Sequence, residues 1–193
     1  MTGHIYVAPI HHPLTVNLQF LADALADRFG TPCRLLDKRI DPDDAYDRYR
    51  NQYHSTKLLA QLLEACPEDG LKILGVTTVD LFIPILTYVF GEAQLEGRAA
   101  VVSCYRLKNE LYGIPPNNRA LQSRLLKEAV HELGHTFGMI HCEEPNCVMR
   151  VSTYVEEIDF KPVDFCTRCA PELERAIRSA RLQMAMRYRK AST

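Results

Sequence analysis

Nowhere in its 193 residues does the chain carry the run of about 20 apolar residues that a membrane-spanning helix needs. The N-terminus has neither a basic opening nor a long apolar stretch, because His11, His12 and Pro13 interrupt it early. A cytoplasmic protein with no membrane partner is expected. An excess of charge of one sign is also missing: 23 Lys and Arg stand against 24 Asp and Glu, a net charge of -1. That balance gives no reason to expect nucleic acid or an anionic surface as partner. The locally basic C-terminus (Arg181, Arg187, Arg189, Lys190) reads as a solvated helix end, where cations suit the helix dipole. Internal repeats and low-complexity segments are absent. So is an even cysteine count. Seven cysteines fit poorly with a complete disulfide set, and in a reducing compartment clustered cysteines point to metal.

What is present is an ordinary globular composition, 47% hydrophobic and 24% charged, in a chain long enough to bury a core. A single monomeric domain over 1–193 is expected, with an N-terminal subdomain over 1–137 and a C-terminal one over 138–193. His4 to Ile10 reads as a buried strand. Leu14 to Phe29 has helical apolar spacing and stops at Gly30 and Pro32. Cys33 to Leu36 is a second strand. Asp41 to Asp44 opens a long helix that ends near Cys66, before Pro67 and Gly70. Leu71 to Val76 is a third strand. Tyr88 to Phe90 and Ala99 to Tyr105 form an antiparallel hairpin across Gly91 to Gly97. Alternating strands and helices predict an α/β fold, with a mostly parallel twisted sheet and one antiparallel edge strand. Gly113 to Asn118 is a loop and Leu121 to about Phe137 a helix. An irregular cysteine-rich stretch follows to Cys169, and a terminal helix starts with Pro171 at its first position.

The helix after Leu121 carries His131-Glu-Leu-Gly-His135. Residues four apart lie about 40° apart around a helix, so both imidazoles point the same way and can share one zinc ion. Glu132 is about 100° from His131 at the same pitch, beside the ion without ligating it. There a carboxylate can take a proton from metal-bound water. Leu126, Val130, Leu133 and Phe137 cluster on the opposite side and can pack on the sheet. His141 follows His135 by six residues, which in a continued helix would rotate it about 240° away. Gly138 allows a sharp turn that returns it to the ion. Three protein ligands leave a fourth position open, the mark of a catalytic zinc. The spacing HExxHxxGxxH is far more specific than HExxH alone. His4, His11, His12 and His54 lack ligand spacing and read as structural or surface residues.

A second set follows directly. Cys142, Cys147, Cys166 and Cys169 form C-x4-C and C-x2-C pairs separated by 18 residues, a pattern suited to a closed tetrahedral structural zinc. A redox CxxC is the competing reading, but this pair does not follow a strand in a βαβ unit. The second ion would staple a segment with few apolar residues of its own. Cys33, Cys66 and Cys104 lie in or beside apolar elements and read as buried thiols.

His131-Glu-Leu-Gly-His-Thr-Phe-Gly-Met-Ile-His-Cys142, with Cys147-Val-Met149 and Cys166-Thr-Arg-Cys169, closely resembles the signature of the archaemetzincin family of metalloproteases. Gly75 to Thr77, Asp80 to Phe82, Phe90-Gly91, Ser103 to Leu107 and Lys127-Glu128 resemble it too. The likeness runs from Leu71 to Cys169; the first seventy residues match only in element order. The resemblance implies a compact metzincin-like fold, a catalytic zinc on the three histidines and a second zinc on the four cysteines. It also implies that Met149, otherwise an ordinary core filler, is the methionine of a Met-turn beneath the catalytic ion. By the same resemblance Ala99 to Tyr105 would be the edge strand above the cleft, able to hold an extended peptide. Tyr105 and Arg106 are then candidate substrate contacts, with packing or a surface ion pair as the alternative.

The residues point to a zinc-dependent peptidase acting on peptide or protein substrates. Glu132 would serve as general base and then as acid to the leaving amine. Aminopeptidase and endopeptidase action stay open. The alternative is a non-catalytic zinc protein that holds a peptide or acts as a scaffold, against which an intact Glu132 argues. Nucleic-acid binding through the four cysteines is disfavoured, since no basic, aromatic-interleaved stripe surrounds them.

Overall fold

The computed structural model describes residues 3–10 and 16–191, with side chains through Arg187. His11, His12, Leu14 and the side chains of Arg189 and Lys190 lie outside the described residues. The main sheet has five strands: β1 (His4–Pro9), β2 (Cys33–Leu35), β5 (Gly70–Thr77), β7 (Gly91–Ala93) and β8 (Ala99–Ser103). Their order is β2-β1-β5-β8-β7. Four strands run parallel, and β7 pairs antiparallel with β8 at the edge. Strand side chains alternate between faces, so Val7, Leu74, Val76, Ala100 and Val102 meet one layer while Ala8, Ile73, Ala99 and Val101 meet the other. The first layer holds helices α1 (Leu18–Phe29) and α3 (Asn118–Thr136), and the second holds α2 (Ser55–Ala65). Each fully buried Leu or Ile at these positions contributes about 1.5–3 kcal/mol by leaving water.

The mixed fold with a mostly parallel sheet and an antiparallel edge strand is as the sequence predicts, but several elements differ. The helix expected from Asp41 starts only at Ser55. Before it come a short 3₁₀ turn at Asp43–Ala45 and strands β3 (Tyr46–Asp47) and β4 (Gln52–His54). The Asp47 carboxylate accepts the N–H groups of Tyr49 and Arg50, and Asn51 sits at φ 52°, a left-handed turn that no helix accommodates. With β6 (Leu81–Phe82), β3 and β4 make a separate three-stranded sheet. The hairpin is displaced as well. Its first strand is Gly91–Ala93, while Val89 makes a single bridge to Leu81. The edge strand is therefore β7; β8 lies inside the sheet between β5 and β7. A short helix α4 (Val155–Phe160) interrupts the stretch expected to be irregular.

The terminal helix α5 (Cys169–Ala191) begins two residues before Pro171, within the CxxC pair, where Ala170 N–H donates to Cys166 O. Pro171 is tolerated because N–H groups in the first turn have no helical partner to lose. Arg181 on this helix is not merely solvated: it donates to Gly30 O and Thr31 Oγ1 past the end of α1. Cys104 is buried, while Cys33 and Cys66 are only half-buried. Among the described residues no helix is long and apolar enough to cross a membrane.

One buried cation joins sheet to helix. Lys72 of β5 places its Nζ 2.6 Å from Gly97 O, in the β7–β8 turn, and 2.6 Å from Thr136 O, at the end of α3. It also lies 4.4 Å from the Phe137 ring centroid. The ammonium thereby satisfies carbonyls that a helix end leaves without partners, where its charge also suits the dipole. Replacing Lys72 with Met strands both carbonyls. The expected cost is about 1–3 kcal/mol, read as a lowered denaturant midpoint at fixed zinc.

Candidate active site and metal centres

Helix α3 starts with Asn117, whose side chain accepts the N–H of Ala120. The helix runs 19 residues and passes beneath the edge strand with most of its second half buried. Leu126, Val130, Leu133 and Phe137 are all in the core, as the helical pattern predicts. His131 and Glu132 are buried and His135 is half-buried. At Gly138 the backbone takes φ 87°, and the chain turns back to bring an exposed His141 over the same point. The ring centroids of His131, His135 and His141 are 4.7, 5.3 and 4.9 Å apart, and one nitrogen from each lies within 4.8 Å of the others.

Two of these rings have their protons assigned by their neighbours. Nδ1 of His131 donates to Val148 O at 2.9 Å, and Nδ1 of His135 donates to Met139 O at 2.7 Å. A carbonyl can only accept, so Nδ1 carries the proton and Nε2 keeps its lone pair. The two Nε2 atoms are 3.1 Å apart. Two ligands of a tetrahedral zinc with bonds of about 2.0–2.1 Å stand about 3.3 Å apart, so this spacing fits. Burial holds His131 well below the ordinary imidazole range, and the Lys161 charge adds to the effect. Burial also lowers His135 and His141. Neutral rings are the form that binds a metal.

Glu132 lies against the edge strand. A Cβ placed on Gly91 would stand 2.6 Å from Glu132 Cγ, 2.8 Å from its Oε1 and 2.7 Å from Val101 O. Only a residue with no side chain leaves that space. Burial pushes the Glu132 carboxyl well above the ordinary carboxylate range, with the charge of Glu128 adding and that of Lys161 opposing. Glu128 and Lys161 form an ion pair at 2.8 Å, both almost wholly buried behind the histidines. Lys161 also reaches Arg150 O at 3.2 Å.

Met149 is fully buried under α3 and meets Gly134, where a Cβ would stand 2.6 Å from its Sδ. The segment Val148–Arg150 therefore supports the histidines from below. Its Val148 O holds His131, and its Met149 O accepts Cys142 N–H at 3.0 Å.

The four cysteines come together as predicted, with sulfurs within 4.8 Å of one another. Cys142 and Cys166 sulfurs are 3.9 Å apart, close to the roughly 3.8 Å that a tetrahedron of 2.3 Å Zn–S bonds requires. Arg168 Nη2 stands 3.1 Å from Cys142 Sγ, and Cys166 N–H points at Cys147 Sγ from 3.5 Å. Such donors favour thiolate. Burial alone would raise the Cys166 thiol. Hydrogen bonds from the backbone of Cys169 and Arg168 and from neighbouring thiols outweigh it and bring the group to about 7. Burial raises Cys147 and Cys169 of the same cluster, and it raises Cys33 and Cys104 to about 12.

Two candidate contacts resolve differently. Arg106 is committed: its guanidinium pairs with Asp80 at 2.7 Å and lies 3.9 Å above the Tyr88 ring. Tyr105 is partly exposed at the end of β8. Three residues that shape the site carry little mark in the sequence. Gly91 sits in a motif that resembles the family, yet its contact with Glu132 depends on the fold. Lys161 is one lysine in a polar stretch. Glu128 precedes His131 by three residues, spacing that places it on the same helix side without naming its partner.

The model of peptidase family M54 matches residues 18–175. An archaemetzincin of Methanocaldococcus jannaschii is 40% identical over 174 residues, covering 90% of this chain and 94% of that protein. An archaemetzincin structure from Methanopyrus kandleri superposes with a TM-score of 0.79 at 32% identity, covering 92% of this chain and 96% of that one. A structure from Methanocorpusculum labreanum described as a zinc-dependent peptidase superposes at 0.79 with 33% identity, covering 88% and 99%. A match over most of the length on both sides leaves the non-catalytic reading without support, and the chain belongs to peptidase family M54, the family of the archaemetzincins, and is a metallopeptidase.

Proposed function

We propose that this peptidase hydrolyses peptide bonds at the three-histidine site, with His131, His135 and His141 holding a catalytic zinc and Glu132 moving the proton. One observation carries the reading: two imidazoles locked by backbone carbonyls turn free Nε2 atoms to one point, beside a buried carboxyl. Zinc bound there would supply Lewis acidity, making water more acidic and a peptide carbonyl more electrophilic. Glu132 accepts a proton from the attacking water and passes it to the leaving amine. Lys161 and Glu128 neutralise each other nearby, so the site gains no uncompensated charge from them. Gly91 is the seat of the Glu132 side chain.

Cys142, Cys147, Cys166 and Cys169 would hold a second, structural zinc. It would tie the start of α5 to the chain just after His141 and so fix that ligand. Met149 supports the catalytic helix as the Met-turn residue. The three cysteines outside that cluster are all unpaired thiols, which supports a reducing, cytoplasmic setting.

Glu132→Ala is expected to lower kcat/KM by about 10²–10⁴-fold on a responsive peptide while zinc is retained, as read by elemental analysis. Unchanged turnover would remove Glu132 from the mechanism. Gly91→Ala is expected to cost about 10–100-fold in kcat, by displacing Glu132 rather than by losing metal. Wild-type activity in that variant would show that the carboxylate does not depend on its seat. Elemental analysis of the purified protein should give about two zinc per chain, falling to about one in Cys166→Ser with a lowered melting temperature. A value near one in the wild type would deny one of the two sites its ion.

A further inference from the structure

Strand β5, the β7–β8 turn and helix α5 surround a cavity of about 430 Å³. It shares no residue with the three histidines, Glu132 or the four cysteines. One wall is α5, which supplies Ala180 and Met184. That wall is anchored. Arg181 donates to Gly30 O and Thr31 Oγ1, and Met184 lies so close to Gly3 that a Cβ there would stand 2.6 Å from its Sδ. Buried Leu71, at the start of β5, completes the apolar part. The volume is that of a preformed pocket for a small molecule.

The polar part is unevenly charged. Lys72 is only 6% exposed and Arg98 is half-buried. Lys72 donates to the carbonyls of Gly97 and Thr136. Arg98 uses Nη2 alone, on Gly70 O at 2.6 Å, Pro67 O at 3.3 Å and Cys66 Sγ at 3.1 Å. Nothing in this set carries a full negative charge, because burial pushes the Cys66 thiol up. Among the described residues neither cation forms an ion pair. Lys161, also buried, shows the usual arrangement, with the Glu128 carboxylate 2.8 Å away. A buried charge without a counter-charge is costly, so an anion that enters beside Lys72 and Arg98 is favoured. A guanidinium has five N–H donors, and Nε and Nη1 of Arg98 have no partner among the described residues. The carboxylates of the cavity belong to exposed residues: Glu68, and Glu96, whose side chain lies along Gly138.

We propose that this cavity is a binding site for a small zwitterion with an apolar side chain, of the amino acid or dipeptide class. Its carboxylate meets Arg98 and Lys72, its ammonium faces Glu68 and Glu96, and its side chain lies against Leu71, Ala180 and Met184. A compact inorganic anion such as phosphate would answer the two cations but leave the apolar wall and the exposed carboxylates unused. Amino acids and short peptides are also the class of molecule that peptide hydrolysis releases. Lys72 and the N–H of Glu96 hold the carbonyls of Thr136 and His135, so the occupied cavity braces the end of α3.

The test is calorimetric titration of the zinc-loaded protein with L-leucine, leucinamide and inorganic phosphate, with acetohydroxamate present to fill the histidine site. None of its readouts requires turnover. L-Leucine should bind at millimolar concentration or below and raise the melting temperature. Leucinamide, which lacks the carboxylate, should bind about 10–100-fold more weakly. Ala180→Glu places a carboxylate of the chain's own in the cavity and should weaken L-leucine by about the same factor. On the wild type, in which no variant has to fold, L-leucine should move the methyl resonance of Met184 and leave that of Met149 in place. Absence of L-leucine binding would overturn the proposal, as would leucinamide binding equally well or phosphate binding alone. An unmoved Met184 resonance at saturating L-leucine would overturn it too, as would unchanged affinity in a folded Ala180→Glu.

Discussion

Three consecutive carbonyls, those of Val148, Met149 and Arg150, face three different parts of the structure. The first orients His131, the second takes the N–H of Cys142, and the third takes the ammonium of Lys161. A backbone carbonyl is a strong acceptor that must find a partner when buried, so this turn is held at every peptide. Through it helix α3, the peptide bond between His141 and Cys142, and the segment leading to α4 share one reference point. Met149 fills the space beneath, against a glycine that leaves no gap for anything larger. The histidine site and the cysteine site are thus one unit joined through a turn, as well as neighbours in the chain.

Glu132, the proposed catalytic carboxyl, sits in a low-dielectric seat that the fold supplies at some cost. Glu132 is buried beside the Glu128–Lys161 pair. Taking two ions out of water is expensive, and such a pair adds little net stability even at good geometry. Its value lies in position. Burial does most to keep His131 neutral and to raise the proton affinity of Glu132; the Lys161 charge adds to the first, and for the second Glu128 adds while Lys161 opposes. Both effects are those that metal binding and proton transfer call for. The Lys72 ammonium does a related service at the C-terminal end of α3, one residue beyond His135, where it closes the helix onto the β7–β8 turn.

Elements with one strong local pattern were legible in the sequence. β1, β5 and α3 fall where apolar periodicity places them, and α3 carries Leu126, Val130 and Leu133 into the core as spacing requires. The two side-chain clusters that could hold metal were legible because metal chemistry constrains both residue type and interval. The segment from Asp41 to His54 was not. Its carboxylates can start a helix or close a turn, and the choice was made by Asn51 in a left-handed conformation and by Tyr46 packing on Tyr53 across two strands. The hairpin was found but displaced, because Gly91 reads as a turn residue when its use is to lie flat against Glu132. α4 is only six residues long, and its hold on α3 through Asp159 comes from a partner 35 residues away.

By itself the sequence determined the chemistry: which side chains can bind zinc, which carboxylate stands beside them, and that a second thiolate set follows at once. It could do so because helical pitch and short chain intervals carry that information locally. The tertiary structure alone decided the surroundings of that chemistry. Which strand forms the edge, what seats Glu132, what pairs with Glu128 and how Lys72 meets Thr136 are contacts between residues far apart in sequence. No local interval encodes them, since each depends on how the layers of the fold are stacked.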